Sequence, residues 1–427
     1  MVVQRRAHPL AMFSAWFFVV FLVLFPKGGL KLGVLPITWG YLYLALSFVP
    51  LLAVRLLALP LRWPRRVLIA CAMLLPMQLL FVYAGVFNGV SDPPFAFSSF
   101  VALFALPWIF LLLFPPFLQF VDGERLSKYL RWCMLIAALW GIFLFFLHPI
   151  TGHFIEIPYL TVNSGDIGDL ETTKHIARGF FFKLISTYNN GNLYGVSTLI
   201  LLPLYRKLEP VRWRRAAIVV ALLLTLSRTV WAGIILLEAF PLIALLARQL
   251  RTLPVVYLRS AWRRLALLAF VVALVFGALL FLSLGPNALA FLLDPTAGGR
   301  TTEIARVQSS GLTFLPSAPL AGFVEILYVT AVQDFGISGL VAFLLLMFSP
   351  VLLLLFDRGA LHSPYRLAAL QGLVLYIVLA ASDGGMDFIP VMAFYWFAYM
   401  IYLFDWPAPH QPAESLELAP DLLASAS

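Results

Sequence analysis

Ten runs of fifteen or more mostly apolar residues constrain this chain more than any other feature. They occupy residues 10–25, 35–53, 67–87, 97–120, 129–147, 188–205, 265–284, 338–356, 367–381 and 386–404. A helix that crosses a bilayer needs about 20 such residues. The chain is 62% hydrophobic and only 11% charged, against about 45–50% and about 25% in soluble domains. Those proportions exclude a water-soluble globule, a disordered chain and a nucleic-acid binder built of soluble domains, and they leave a helical membrane protein. Cys71 and Cys133 both lie inside apolar runs, so they form neither a disulfide framework nor a cysteine metal cluster.

The stretch 216–247 is ambiguous by length. Its 32 residues make about 48 Å of helix, between the about 30 Å of one span and the about 60 Å of two. Charge resolves it. Read as a hairpin, the stretch brings the total to about twelve spans with both termini cytoplasmic. The cytoplasmic side then carries 21 Lys and Arg residues and the outer side 8. Read as one span, it turns the basic loop 248–264 outward, against the positive-inside rule. The formal charge of +9 is therefore mostly a topology signal.

Arg5 and Arg6 precede an apolar core with no small-residue cleavage site after it, which reads as a retained signal anchor. Residues 1–407 form one integral membrane domain, and 408–427 read as a short, disordered cytoplasmic tail, Pro- and Ala-rich and acidic. No phosphate-binding loop, zinc motif or internal repeat is present. No cofactor and no metal site are expected.

Two outward loops are long, at about 148–187 and 285–337. Loops of that length are usually functional or disordered, and their apolar stretches 177–185 and 319–332 argue against disorder. Both stretches read as interfacial helices, or as covers over the bundle. Only eleven residues separate Arg215 from Ser227, about 16 Å of helix. The turn at 226–233 therefore lies below the outer surface, with Arg228 at its tip. Ser227 is placed to cap the next helix, whose free N–H groups join the guanidinium in an anion site. Alternatively, Arg228 snorkels or pairs with Asp334 or Asp387. Glu238, deeper in the same helix, reads as a structural ion-pair partner. Just before the sixth span lie His175, Arg178, Asn189, Asn190, Gly191 and Asn192, with the asparagines serving as ligands or as helix caps. Arg178, Arg228 and Arg300 all face outward. Arginine's planar fork suits phosphate oxygens, so the three together point to a lipid-linked phosphate or diphosphate.

The segments ARG…YNNGN at 177–192, LSRT at 226–229, GGR at 298–300 and GFVEILYVTAVQDFGISGL at 322–340 resemble the O-antigen ligase and polymerase superfamily, over roughly residues 178–340. The resemblance implies a GT-C-like, all-α polytopic fold in the bacterial inner membrane, with the active site facing the periplasm. It implies transfer of a glycan from an undecaprenyl-diphosphate carrier to a sugar hydroxyl, in polysaccharide or lipopolysaccharide biosynthesis. Ligases of this group carry a His-Asn pair in the second outer loop. Here that stretch has Glu325 and Asp334 and no histidine, which favours the repeat-unit polymerase. Arg300 and Gly311 fit the polymerase Arg-x10-Gly spacing, whereas Arg178 and Gly191 miss it by two. The implied catalytic residues are Arg178, Arg228, Arg300 and Glu325, the last as base. The implied substrate-binding residues are His175, Asn189, Asn192, Ser227 and Asp334. The expected partners are the lipid-linked oligosaccharide, membrane lipid and a chain-length regulator protein, with no nucleic acid. A ligase acting on lipid A-core and a lipid-linked oligosaccharide flippase remain as alternatives.

Overall fold

The computed structural model describes residues 8–32, 35–57, 63–168, 170, 177–178, 181–249, 312–320, 322, 326–386 and 388–407. Eleven helices are named within them: α1 Pro9–Leu24, α2 Trp39–Leu57, α3 Arg65–Asn88, α4 Pro93–Leu113, α5 Gly123–Thr151, α6 Gly191–Leu208, α7 Arg212–Leu224, α8 Arg228–Gln249, α9 Leu327–Leu355, α10 Pro364–Leu379 and α11 Ile389–Phe404. Four of these, α3, α4, α5 and α9, are long and apolar enough to cross a membrane, and α1, α10 and α11 are shorter apolar helices. The run 265–284 lies outside the described residues.

Large apolar side chains point outward around the bundle, among them Leu46, Val49, Leu79, Phe146 and Val341, each more than half exposed. In water such a surface would aggregate; acyl chains solvate it, which is the make-up of a membrane-embedded bundle. The interior is organised on α11, which is buried at every position from 389 to 403. With no water available, three of its four aromatic polar groups, those of Tyr395, Trp396 and Tyr399, bond to protein. Trp396 Nε1 donates to the Ala102 carbonyl at 2.8 Å, and the Tyr399 and Ser349 hydroxyls meet at 2.9 Å. α10 packs closely on α6 because Gly372 faces the Ile200 carbonyl, where a methyl group would collide with backbone. Small residues allow such approach between membrane helices.

The stretch 216–247 is a hairpin, as the charge argument requires. α7 ends at Leu224 and α8 begins at Arg228. α8 runs parallel to α6: Val230 meets Gly195, Gly233 meets Leu199, and Glu238 Oε1 takes Arg206 Nη1 at 2.5 Å. The Glu238 ion pair is thus present. α7 returns along α5 and is only 13 residues long, about 20 Å. The turn carries Leu226 at φ 50, a left-handed conformation costly for a large side chain, with the side chain buried.

The segments joining the helices collect at two opposite ends. At one end Gly29 bridges Asn163, Val90 bridges Leu320, the Leu184 amide bonds the Leu224 carbonyl, and Lys27 lies over Phe388 at 4.3 Å. At the other end gather the starts of α5 and α10, the ends of α6 and α11, and the arginines Arg66, Arg131, Arg214 and Arg366.

Two expectations need correction. The chain is not purely helical: Gly29–Leu32 (β1) pairs antiparallel with Leu35–Thr38 (β2), so the run expected to begin a span at 35 starts as a strand. The interfacial helix expected over 177–185 is absent among the described residues of that stretch, 177–178 and 181–185. Ala177–Arg178 (β3) pairs with Phe181–Phe182 (β4), Ala177 opposite Phe182. A helix would fan three successive phenylalanines about 100° apart. The extended chain instead lets Phe182 pack at 4.0 Å on buried His148 and edge-on against Phe154. Of the second stretch, 319–332, the helix begins only at Leu327 and continues into the span across a kink at Gly336 (φ 69).

Candidate anion-binding site at the Arg228 end

Arg228 is the first residue of α8 and is half-buried. Ser227 occupies the position before it, and its carbonyl accepts the Trp231 amide at 3.0 Å, as the residue opening a helix does. The Trp231 indole reaches back to the Leu223 carbonyl at 3.0 Å and locks the turn. The N–H groups of the first helical turn have no carbonyl of the same helix to meet, so positive potential converges at the guanidinium.

Beside Arg228 lies a cavity of about 390 Å³ between α8 and α10, lined by Arg228, Thr229, Ala232, Leu236, Val378, Leu379 and Ser382. Its rim is polar and its wall apolar. The Thr229 and Ser382 hydroxyls bond each other at 2.8 Å across the rim. The next residue, Asp383, is buried and accepts from Asn192 Nδ2 at 2.5 Å, while Asn192 Oδ1 accepts from Lys183 Nζ at 3.2 Å. A polar network thus joins the strand leading to α6, the first turn of α6 and the α10–α11 turn beside the cavity.

The asparagine cluster divides by role. Asn190 caps α6, its Oδ1 accepting from the Asn192 and Leu193 amides. Asn189 sits at φ 55, is buried, and donates to the Thr161 carbonyl at 2.8 Å; it holds the segment after α5 against the bundle. Asn192 alone joins the network beside the cavity. Asp334 is buried at 1% exposure inside α9, two residues before Gly336 and not on the cavity wall. Arg178 is placed by its backbone in β3. His175, Arg300, Glu325 and Asp387 lie outside the described residues.

Thr229, Ser382, Asp383 and Lys183 escaped the sequence reading as site residues. Lys183 was one of many charges in a long loop. Asp383 lies in a short loop 191 residues from the amide it meets, so no spacing pattern announces the pair. Nearby, Lys31 and Asp166 form an ion pair at 2.5 Å that ties β1 to the segment after α5. Partial burial raises the Asp166 pKa, but hydrogen bonds from Lys31 and Asn163, with the charges of Lys31 and Lys27, outweigh it and hold the carboxyl below its usual range. Among the described residues no three His, Cys, Asp or Glu side chains gather as a metal site. No protein family and no curated protein matches the sequence.

Proposed function

We propose that the Arg228 cavity receives the diphosphate of a lipid-linked glycan, and that the chain is a metal-independent glycosyltransferase of the bacterial inner membrane that polymerises polysaccharide repeat units on the periplasmic side. The observation that carries this reading is the cavity itself. A guanidinium and a helix N-terminus stand at its rim, and an apolar wall of Ala232, Leu236, Val378 and Leu379 continues along two helices. That is the shape and polarity of an anion attached to a hydrocarbon chain.

In the proposed reaction the acceptor hydroxyl oxygen bonds the anomeric carbon as the carbon–diphosphate oxygen bond breaks. The lipid diphosphate leaves with the electron pair and needs no ATP. Charge develops on the leaving oxygen, and donors fixed in advance, Arg228 and the first amides of α8, stabilise it. Arg178 and Arg300 are the further cations assigned to it. The hydroxyl proton passes to a carboxylate. Glu325 is the base assigned from the resemblance; Asp383, beside the rim, is the described carboxylate that competes for that role.

Purified protein supplied with an undecaprenyl-diphosphate oligosaccharide should build longer glycans without ATP and in the presence of EDTA. Activity lost to chelation and restored by a divalent ion would overturn the metal-independent reading. A deletion strain should retain single repeat units on the acceptor. Long carrier-linked polymer beside bare acceptor would make the protein a ligase instead.

A further inference from the structure

Two further cavities lie at the opposite end of the bundle, on either side of the first turn of α5. One, about 580 Å³, is bounded by the start of α5, the end of α6, the start of α10 and the end of α11. Charged and polar side chains stand on its wall, Glu124, Ser127, Arg131, Lys207 and Asp405, beside Trp406. The other, about 530 Å³, is bounded by α1, α2, α4, residues 117–121 and α11. Its wall is apolar, with Leu51, Phe110, Phe117, Leu126 and Phe397 among the lining residues. Two of its few polar side chains, Ser14 and Tyr43, bond each other.

The cavities are neighbours through two elements. Gly123 and Glu124 face the polar one while Val121 and Leu126 face the apolar one. Trp406 on the polar side contacts Phe397 on the apolar side, ring centroids 6.4 Å apart, and its indole N–H donates to the Gly123 carbonyl at 3.0 Å. A tryptophan with one apolar and one bonded face is the usual marker of a headgroup boundary.

The charges select the ligand. The polar cavity carries two cations and two anions. Arg131 bonds the Ser127 carbonyl and stands 4.0 Å from Glu209, and Asp405 accepts from Ser363. Lys207 and Glu124 are exposed and form no ion pair among the described residues. A wall of one sign would take a simple anion or cation. This wall complements a molecule that carries both signs, and the adjoining apolar volume complements a hydrocarbon chain. We propose that the two cavities together hold one phospholipid with a phosphoethanolamine headgroup. Its phosphate faces Arg131 and Lys207, its ammonium faces Glu124 and Asp405, and an acyl chain fills the apolar cavity. The site is separate from the Arg228 cavity and does not depend on the activity assigned there.

The test is lipid retention. Protein reconstituted in nanodiscs of equal phosphatidylethanolamine and phosphatidylglycerol is extracted, and the lipid that stays bound is weighed by native mass spectrometry. Phosphatidylethanolamine should be enriched about fivefold over the bilayer ratio, the scale of one exposed ion pair. Lys207→Glu and Glu124→Lys should each abolish the enrichment; both positions are exposed, and gel filtration checks folding. Leu51→Trp, which fills the apolar cavity, should lower the amount of lipid retained. Retained lipid that mirrors the bilayer in the wild type, or enrichment unchanged in both charge variants, would overturn the proposal. So would displacement by soluble phosphoethanolamine at millimolar concentration, which would make the ligand a free metabolite.

Discussion

At the Arg366 end, arginines are held by the protein's own acids. Asp357 accepts from Arg366 at 2.6 Å and Arg66 at 3.1 Å, and buried Glu209 lies between Arg214 at 3.5 Å and Arg131 at 4.0 Å. At the Arg228 end, an arginine lines a cavity, and the nearby buried acid Asp383 is engaged by an amide. The backbone differs as well. Among the described residues, four of the five non-glycine positions with positive φ, namely Tyr159, Ser186, Asn189 and Leu226, are at the Arg228 end, and Asp405 is at the other. Strained backbone persists only where its surroundings impose it, and it concentrates at functional sites. An arginine count therefore says little about function. What separates the two ends is the company each cavity-lining arginine keeps: the cavity beside Arg131 is lined by both signs of charge, with Glu124 and Asp405 on its wall, whereas the lining of the Arg228 cavity holds hydroxyl and apolar side chains and no carboxylate among the described residues.

Substitutions can break this contrast, and the two largest effects, each about 3 kcal/mol, fall one at each end. Glu209→Ala leaves Arg131 and Arg214 facing each other without their acid. It should lower unfolding stability in detergent by about 3 kcal/mol while turnover per folded molecule holds. Arg228→Ala should do the reverse, lowering turnover on the order of 10²–10³-fold with folding intact by gel filtration. Arg228→Lys should recover little, because the ammonium lacks the two-pronged fork. Near-normal turnover in Arg228→Ala would make this arginine structural and remove the proposed site.

Gly336→Ala tests the kink in α9. At φ 69 an added Cβ would lie 2.8 Å from the Thr313 and Phe314 carbonyl oxygens, which accept from the Ile337 and Ser338 amides. A loss of about 2 kcal/mol is expected, read as a lower midpoint of thermal unfolding.

The smallest effects concern the surface pairs. Lys31→Ala should cost less than about 1 kcal/mol. Acid sharpens the same point. The Arg366 hydrogen bond, with help from Arg66 and against partial burial, holds the Asp357 carboxyl below its usual range, and Asp166 is likewise depressed. A depressed folded pKa contributes stability that is present above the unfolded value of 3.8 and is lost as pH falls through the folded value. Unfolding midpoints should therefore stay flat with respect to these two groups from pH 8 to 5 and drop below pH 4. Asp357→Asn should flatten part of that drop.

The hairpin at 225–227 and the Glu238 ion pair were legible, because each follows from helix length or apolar run length; of the basic segments, those with Arg66, Arg131, Arg214 and Arg366 meet at one end, and residues 250–264 of the basic loop lie outside the described residues. The β3–β4 ribbon was not. ARGFFFKLI has the composition of an interfacial helix, and only the His148–Phe154 surface that receives Phe182 favours the extended form. The asparagines at 189–192 were legible as a cluster but not in their separate roles, which depend on what lies opposite each: its own helix for Asn190, the Thr161 carbonyl for Asn189, Asp383 for Asn192.

The apolar runs set the helical membrane character of the chain, since burying backbone in hydrocarbon leaves little choice over their length and conformation. Which polar groups meet at the ends of the helices was decided by packing. Gly195 against Val230 and Gly372 against Ile200 bring α6, α8 and α10 close enough for Thr229 to reach Ser382 and Asn192 to reach Asp383, residues 153 and 191 positions apart. Contacts across that much sequence leave no periodicity to read, because they depend on how closely three helix backbones approach.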